Sequence, residues 1–330
     1  MKYTKLGNTG MDVSKICLGM MSFGKPGKEN GLFPWALEFE DAKPIFKKAI
    51  DLGINFFDTA NVYQLGTSEE VTGKLIKEFG LDRDDIVVAS KVRMEMRPGK
   101  LNGSGLSRKE IMSEIDKSLK RLQLDYIDLY QIHRLDPLTP MEEIMEALHD
   151  VVKAGKARYI GASSMYSWQF LKALHIAEKN NWTRFVSMQN HLNLLYREEE
   201  REMLPLCKDE KIGVIPWSPM ARGKLTRNWD ETTYRSETDE FGKHLYAATS
   251  EADRKVVERV AEVAEKRGVP RAQIALAWVL QKETITAPII GATKMHHLDD
   301  AVAALSITLT AEEVSFLEEP YVPHQVLGFK

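Results

Sequence analysis

A closed barrel of eight parallel strands, each followed by a helix, is the fold that the sequence predicts. Short apolar segments alternate with amphipathic helical segments along the 330 residues. Eight of the apolar segments are apolar on both faces, as strands covered on both sides of a parallel sheet must be. Length alone also fits two domains, but the unbroken composition favours one (β/α)8 TIM barrel over residues 1–330. The predicted strands are residues 15–20, 54–60, 85–92, 126–133, 157–164, 184–190, 212–219 and 285–292.

The segments between these strands predict amphipathic helices. After Ser107, apolar residues recur on one helical face from Ile111 to Leu122. Three helices are expected to begin with a capping box, in which the side chains of the first and fourth residues bond each other's backbone N–H groups. The three pairs are Thr67 with Glu70, Ser107 with Glu110, and Thr310 with Glu313.

Several segments are additional to the eight strand–helix units of a minimal barrel. Residues 3–12 predict a β-hairpin before the first strand. Residues 220–250 are polar and too long for a simple connection, which is typical of a lid or a binding loop. Long loops also follow strands one and three, at 21–40 and 93–106, and the tail 319–330 holds two prolines and is expected to be extended.

Composition excludes several classes of function. Lysine and arginine total 45 against 48 acidic residues, a net charge of -3, so nothing indicates binding to nucleic acid or an anionic membrane. The two cysteines, Cys17 and Cys207, cannot build a disulfide framework, which favours a reducing compartment. We find neither a signal-peptide core nor an apolar run of about 18 residues. The expectation is a cytoplasmic protein, monomeric or weakly homo-oligomeric.

Ionisable side chains end three successive predicted strands. Asp58 ends the second, Lys91 the third and His133 the fourth, and Tyr63 follows Asp58 by five residues. Each has an ordinary interpretation on its own: a turn cap, a solvated strand end, a core histidine, a loop aromatic. Together they would be a coincidence, because the carboxyl ends of barrel strands form the active-site face. We therefore expect them to form one catalytic site.

These four groups suit the reduction of a carbonyl. A tyrosine is a poor acid near neutrality, since its ordinary pKa is about 10, but a nearby ammonium favours the phenolate. Lys91 is placed to do this for Tyr63, and Asp58 to orient Lys91. His133 can donate a hydrogen bond to the carbonyl oxygen as negative charge develops there. None of the four supplies a hydride, so a nicotinamide cofactor is implied.

The chain resembles the aldo-keto reductase superfamily over essentially its whole length. The segments that carry the resemblance are INFFDTANVYQLGTSEE, VVASKV, LKRLQLDYIDLYQIHRLD, GKARYIGASS, PWSPMARGKLT and APIIGATK. Within the superfamily it looks like the aryl-alcohol dehydrogenase-like branch, to which LYREEERE and EEPYVPH are similar. The resemblance implies a (β/α)8 barrel with a hairpin closing its bottom and an NADPH-dependent reductase of aldehydes or ketones. It makes Tyr63 the general acid.

The resemblance also implies a cofactor site. Ser163 and Gln189 would hold the nicotinamide carboxamide and Trp217 would stack on the nicotinamide ring, with Lys294 as the best cation for a 2′-phosphate. Ser164 is also expected to bind the cofactor. Three positions depart from the commoner family pattern: many members have Asn at 164, Tyr at 217 and Asn at 301, where this chain has Ser, Trp and Ala. The other expected cofactor residues are Ser218, Met220, Arg222 and Gly223 along the pyrophosphate, and Gly291, Thr293 and His297 at the adenosine end.

The expected substrate is a small carbonyl compound. Met20, Trp35 and Met94, in or beside the long loops, would form an aromatic and thioether wall suited to a planar aromatic aldehyde, although such residues also pack loops against a barrel.

Two other classes of function remain open at this point. In a lyase or aldolase, Lys91 would form a Schiff base. In a redox-sensing subunit of a larger assembly, the barrel would bind NADPH with little turnover. A metal site is not expected, because the histidines form no ligand cluster beyond adjacent His296 and His297.

Overall fold

A computed structural model describes residues 1–27, 33–247 and 249–329. Two short strands, β1 (Tyr3–Lys5) and β2 (Asp12–Ser14), pair antiparallel. Eight further strands form one parallel sheet in the order β10-β3-β4-β5-β6-β7-β8-β9. These strands are β3 (Cys17–Gly19), β4 (Phe56–Asp58), β5 (Val87–Val92), β6 (Ile127–Ile132), β7 (Ala157–Ser163), β8 (Phe185–Gln189), β9 (Gly213–Val214) and β10 (Ile289–Gly291).

The sheet closes between its first and last strands. Val214 forms a parallel bridge with Ile285, just before β10. The Thr286 amide donates to the Val214 carbonyl at 2.8 Å, and the Ile289 amide donates to the Pro216 carbonyl at 2.9 Å. The predicted (β/α)8 barrel is therefore confirmed.

Helices connect consecutive strands and cover the outside of the sheet. Short 3-10 helices lie at Met20–Ser22, Tyr63–Gly66, Glu198–Glu200 and Ala221–Thr226. The α-helices are α1 (Phe39–Asp51), α2 (Thr67–Glu78), α3 (Arg108–Leu122), α4 (Met141–Lys153), α5 (Ser167–Lys179), α6 (Met203–Asp209), α7 (Tyr234–Thr238), α8 (Glu240–Leu245), α9 (Ser250–Arg267), α10 (Arg271–Leu280), α11 (Met295–Ala304) and α12 (Ala311–Glu318). None of them is long and apolar enough to cross a lipid bilayer.

The predicted N-terminal hairpin is present and closes the bottom of the barrel. Leu6 is fully buried in the apolar cluster inside the barrel, with Phe56 and Leu129. Gly7 has φ +56°, and a Cβ there would lie only 2.6 Å from the Gly213 amide at the start of β9. Only a glycine allows the hairpin to approach this closely.

The three predicted capping boxes have different outcomes. The one at the start of α12 forms as expected. At the start of α3 only half forms: Ser107 accepts from the Glu110 amide at 3.3 Å, but the Glu110 carboxylate pairs with Arg97 at 3.0 Å. The box at Thr67 was wrong, because Gly66, with φ +94°, is the residue that caps α2.

The predicted lid, residues 220–250, contains three short helical segments rather than an open loop. These are the 3-10 helix at Ala221–Thr226, α7 and α8. Residue 248 of this segment lies outside the described residues, as do residues 28–32 of the loop predicted at 21–40.

The tail beyond α12 has no regular structure between 321 and 329, and residue 330 lies outside the described residues. The Leu327 amide donates to the Tyr196 hydroxyl at 3.1 Å. A Cβ on Gly328 would lie 3.0 Å from the indole of Trp217. The tail therefore reaches the face of the barrel formed by the carboxyl ends of the strands.

We predict that Gly73→Ala lowers the free energy of unfolding by about 2 kcal/mol. A Cβ at Gly73 of α2 would lie 2.0 Å from the carbonyl oxygen of Leu122 in α3, so the two helices must separate. Alanine favours a helix over glycine, so a loss of stability would report the close approach alone. Urea unfolding followed by circular dichroism measures it.

Gly10→Ala is the matched control, because no heavy atom lies within 4 Å of a Cβ built there. Its unfolding free energy should stay within about 0.5 kcal/mol of the parent. Equal midpoints for the two variants would contradict the close packing of α2 on α3.

Candidate active site

A buried ion pair lies at the centre of the mouth of the barrel. The Lys91 side chain is fully buried in β5, and Asp58 is 2% exposed at the end of β4. The Lys91 ammonium donates to Asp58 Oδ1, to the Thr59 carbonyl at 2.8 Å and to the Tyr63 hydroxyl at 3.3 Å. An ammonium has three donors, so every one of them is used.

This environment keeps Lys91 charged. Burial disfavours the ammonium, but the Asp58 carboxylate and the Tyr63 hydroxyl outweigh it and raise the pKa of Lys91 above its ordinary value. The second carboxylate oxygen of Asp58 accepts from the Gln131 side-chain amide at 3.0 Å and from that of Gln189 at 2.9 Å. Both oxygens are thus occupied, and the carboxylate is held in one orientation.

Tyr63 is presented by a sharply bent turn. Gln64 and Leu65 both have positive φ, at 48° and 51°, and the Gln64 side chain holds the turn by donating to the Met21 carbonyl at 2.6 Å. Because an ammonium can only donate, the Tyr63 oxygen accepts from Lys91. The hydroxyl hydrogen of Tyr63 is then free to point at a substrate in the mouth.

His133 lies beside Tyr63 and stays neutral. The two rings meet edge to face, with centroids 5.6 Å apart. Burial, with the charges of Lys91 and Arg134 adding to it, lowers the pKa of His133 well below its ordinary value. A neutral imidazole keeps one N–H donor, and its Nδ1 makes no hydrogen bond with any described residue. His133 can therefore donate to an oxygen in the site without being charged.

The groups expected at a nicotinamide carboxamide form a neighbouring cluster. Ser163 Oγ donates to the Gln189 carbonyl at 2.7 Å and accepts from Arg134 Nη1 at 3.1 Å. Trp217 Nε1 donates to Ser164 Oγ at 3.0 Å. Gln189 belongs to both clusters, because its amide hydrogens bond Asp58 and the Gln131 oxygen at 3.2 Å.

The residues expected along a pyrophosphate lie at the start of the lid. Ser218 and Arg222 have positive φ, 52° and 54°, and so does Gly223 at 92°. The Arg222 guanidinium pairs with Asp239 at the start of α8. Met220 caps the 3-10 helix and is half-buried. The bent backbone brings this segment and the lid helices together.

The residues expected at the adenosine end lie between β10 and the start of α11. His297 Nδ1 accepts from the Thr293 amide at 3.3 Å, and Lys294 is exposed just before α11. Burial and the nearby charges of His296, Lys294 and Arg235 lower the pKa of His297 to about 4. This end of the site therefore has a neutral histidine and two cations.

Sequence reasoning missed Arg235 of the lid. Its guanidinium lies 4.1 Å from the centre of the Trp35 ring and 3.8 Å from a Cβ built on Gly291. It therefore joins the lid, the loop after β3 and the end of β10. Burial lowers its pKa to about 10, which leaves it charged at neutral pH. The surrounding segment, TTYRSET, carries no motif that could have identified it.

Arg134 and Glu199 were also missed. Arg134 is 6% exposed and forms no ion pair with any described carboxylate within 4 Å. Burial raises the pKa of Glu199 to about 8, so that carboxyl is largely neutral at pH 7. Arg134 directly follows His133, and Glu199 lies in a polar segment. The sequence alone therefore gives no sign that either side chain is buried.

The three residues expected to wall the substrate pocket have different surroundings. Met20 is fully buried in the core, and Trp35 is 8% exposed and stacks on Phe33 with ring centroids 4.6 Å apart. Met94 is half-buried, and its sulfur lies 3.6 Å from Arg93 Nη1. Their role toward a substrate stays a prediction. Within the described ranges, no group of three His, Cys, Asp or Glu side chains could hold a metal ion.

Comparison with known proteins identifies the family. The model of the aldo/keto reductase family matches residues 15–321. The chain belongs to the aldo/keto reductase family. Family membership makes it an oxidoreductase.

Several relatives in this family match the chain over nearly its full length. It is 44% identical to versiconal hemiacetal acetate reductase of Aspergillus parasiticus, over 99% of this chain and 98% of that protein. It is 45% identical to a putative aryl-alcohol dehydrogenase of Schizosaccharomyces pombe, over 99% and 97%. A putative aryl-alcohol dehydrogenase of Saccharomyces cerevisiae is 41% identical over 98% of each chain. The expected resemblance to aryl-alcohol dehydrogenase-like members is thus confirmed.

We predict that Asp58→Asn lowers the free energy of unfolding by about 3–5 kcal/mol. The substitution keeps the shape but leaves the Lys91 ammonium buried without a counter-charge. Urea unfolding of the purified protein measures the change.

The double variant Asp58→Asn with Lys91→Met is the control, because it also removes the unpaired Lys91 ammonium. It should be more stable than Asp58→Asn alone. An Asp58→Asn protein with the urea midpoint of the parent would contradict the central role given to this ion pair.

Proposed function

We propose that this protein reduces aldehydes or ketones to alcohols with NADPH, and that aromatic aldehydes are its substrates. The observation that carries the proposal is the Lys91 ammonium held between the Asp58 carboxylate and the Tyr63 hydroxyl. In that arrangement a fixed cation would face the phenolate that Tyr63 leaves after giving up its proton. The relatives named as reductases and aryl-alcohol dehydrogenases support the substrate class.

Tyr63 would supply the proton. Its oxygen accepts from Lys91, so the fixed ammonium stabilises the phenolate that remains after the proton has left. Neutral His133, beside Tyr63, would donate a hydrogen bond to the same carbonyl oxygen and hold it toward the Tyr63 hydroxyl. Because Asp58 and Lys91 are already ordered, little reorganisation accompanies the proton transfer.

The residues around Ser163 fit a nicotinamide carboxamide by their hydrogen-bond polarity. The Ser163 hydrogen is committed to the Gln189 carbonyl, and both Gln189 amide hydrogens are committed to Asp58 and Gln131. Ser163 Oγ and Gln189 Oε1 can therefore only accept, as a carboxamide NH₂ requires. Ser164 accepts from Trp217 and keeps its hydrogen for the carboxamide oxygen. The bound nicotinamide would supply the hydride that none of these side chains can.

The adenosine end favours a phosphorylated ribose. Lys294 is exposed beside β10, and Arg235 reaches the same strand end from the lid. Thr293 and His297 flank them. The charges of Lys294 and Arg235 both act on His297, and two cations beside one residue suit a dianionic 2′-phosphate, which supports NADPH over NADH.

A Schiff-base lyase fits the geometry less well. A nucleophilic lysine must be a neutral amine, whereas Lys91 is ion-paired, uses all three donors and has a raised pKa.

A cytoplasmic location belongs to the proposal, supported by the two buried free cysteines, Cys17 and Cys207.

We predict that Tyr63→Phe lowers kcat for aldehyde reduction by roughly a thousandfold while NADPH affinity stays within about twofold. The change removes the proton donor and leaves the cofactor residues intact. The measurement is NADPH oxidation at 340 nm with a panel of aromatic aldehydes, with affinity measured separately by cofactor fluorescence.

Tyr166→Phe serves as the control, because Tyr166 is an exposed tyrosine whose ring contacts Phe329 of the tail. It should reduce aldehydes at a rate near that of the parent. Full activity of Tyr63→Phe would overturn the assignment of the proton donor. Tight NADPH binding by the parent without turnover on any carbonyl would favour the sensor function instead.

We also predict that Lys294→Met weakens NADPH binding by about tenfold and leaves NADH binding nearly unchanged, because only NADPH carries the 2′-phosphate. The ratio of the two dissociation constants is the measurement. Lys255→Met, at an exposed lysine on α9, should alter neither constant. Equal losses for both cofactors would assign Lys294 to some other part of the cofactor.

A further inference from the structure

Three aromatic rings form a parallel stack behind the candidate cofactor site. His191 lies between Trp217 and Tyr196, with ring centroids 4.0 Å and 4.4 Å away and interplanar angles of 8° and 14°. His191 and Tyr196 are fully buried, whereas Trp217 is half-buried. His191 therefore covers one face of the Trp217 indole. The Arg134 guanidinium lies 5.6 Å from the centre of the indole, and Gly328 of the tail lies against its edge.

The His191 ring is fixed in this stack by hydrogen bonds at its edge. Its Nε2 lies 3.1 Å from Asn193 Nδ2 and 2.9 Å from the Tyr246 hydroxyl, within hydrogen-bond distance of both. Of the two Asn193 amide hydrogens, one binds the Ser218 carbonyl at 2.9 Å, and the other is left for the shared edge of His191 and the Tyr246 hydroxyl, which lies 3.1 Å from Asn193 Nδ2. The ring cannot turn about its own axis without breaking these bonds.

His191 stays uncharged in this position. Burial lowers its pKa well below the ordinary value, and the charges of Arg222, Arg134 and His324 act in the same direction. A neutral ring can stack face to face on an indole without the desolvation cost that a buried imidazolium would carry.

We propose that His191 is a positioning residue for the cofactor: it fixes the plane of Trp217, and thereby the surface on which the nicotinamide stacks. The inference rests on the proposed function and on the role that the family resemblance implies for Trp217, namely stacking on the nicotinamide ring. His191 touches neither the cofactor nor the substrate in this arrangement. It acts through the indole that it supports.

The orientation of Trp217 also affects a second cofactor contact. Trp217 Nε1 donates to Ser164 Oγ at 3.0 Å, so a tilt of the indole would release the hydroxyl that we assign to the carboxamide oxygen. One support, His191, therefore controls both ring stacking and one polar contact. A residue that merely filled the core would influence neither.

The same stack receives contacts from the two segments that cover the site. Tyr246 belongs to the lid, and its hydroxyl contacts His191. The tail binds at the other end of the stack, through the Leu327 amide and Tyr196. The stack thus contacts the lid, the tail and Trp217.

The test compares His191→Ala with His191→Phe. We expect His191→Ala to weaken NADPH binding by about five- to tenfold, since the indole loses its stacking partner. His191→Phe restores a flat ring without its edge hydrogen bonds, so it should recover most of the affinity and bind NADPH within about threefold of the parent. The KM for an aromatic aldehyde at saturating NADPH should stay within twofold for both variants. A general loss of structure would change this KM as well as the NADPH affinity.

A double-mutant cycle with Trp217→Ala tests whether His191 affects NADPH affinity through the Trp217 side chain. In the Trp217→Ala background, His191→Ala should cause no further loss of NADPH affinity. Additive losses, or parent-like affinity of His191→Ala alone, would overturn the inference. If Trp217→Ala leaves affinity unchanged while Tyr63→Phe abolishes turnover, then the stacking surface is wrong and the reductase activity stands.

If His191→Ala does not fold, Tyr246→Phe tests the positioning role of His191 instead. It removes only the hydroxyl that holds the imidazole edge, so we expect a two- to threefold loss of NADPH affinity. Parent-like affinity of a folded Tyr246→Phe protein would then count against the proposal.

Discussion

The buried ion pair of Lys91 and Asp58 is the interaction on which the site depends. Two charges removed from water are tolerated only when each finds compensating partners. Here the ammonium uses all three donors, and both carboxylate oxygens accept. Because those partners come from β4, β6 and β8, which are not all adjacent in the sheet, the closed barrel is what makes the pair possible. The barrel thus supplies the buried setting in which one cation is held against one hydroxyl.

The two halves of the candidate site are physically connected. Gln189 donates its side-chain hydrogens to the Asp58 side of the network, and its backbone carbonyl accepts from Ser163. The proton-donor groups and the cofactor groups therefore share a residue on β8. Because the Asp58 carboxylate accepts from the Gln189 side-chain nitrogen, the Gln189 side-chain oxygen is the atom left for a cofactor. The hydrogen-bond polarity of the cofactor cluster at Gln189 therefore follows from the ion pair.

Much of this could be predicted from sequence, and the exceptions have physical reasons. The eight strands were evident because buried parallel strands are apolar on both faces, and Asp58, Lys91 and His133 stood out as ionisable groups at their ends. The capping box at Thr67 was wrong because positive φ angles at Gln64 and Leu65 redirect the chain just before α2. Arg235 and the stack of Tyr196, His191 and Trp217 were invisible, because they combine residues from separate segments that no periodicity relates.

The hairpin at the bottom of the barrel has a consequence for how the chain is made. Gly7 packs against Val186 and Gly213, partners that follow it by about 200 residues in the chain. During synthesis, which proceeds from the N-terminus at about 5–20 residues per second, the hairpin emerges long before its docking surface exists. Contacts of such sequence separation are slow to form. The hairpin therefore cannot reach its native place until segments about 200 residues further along the chain have been made.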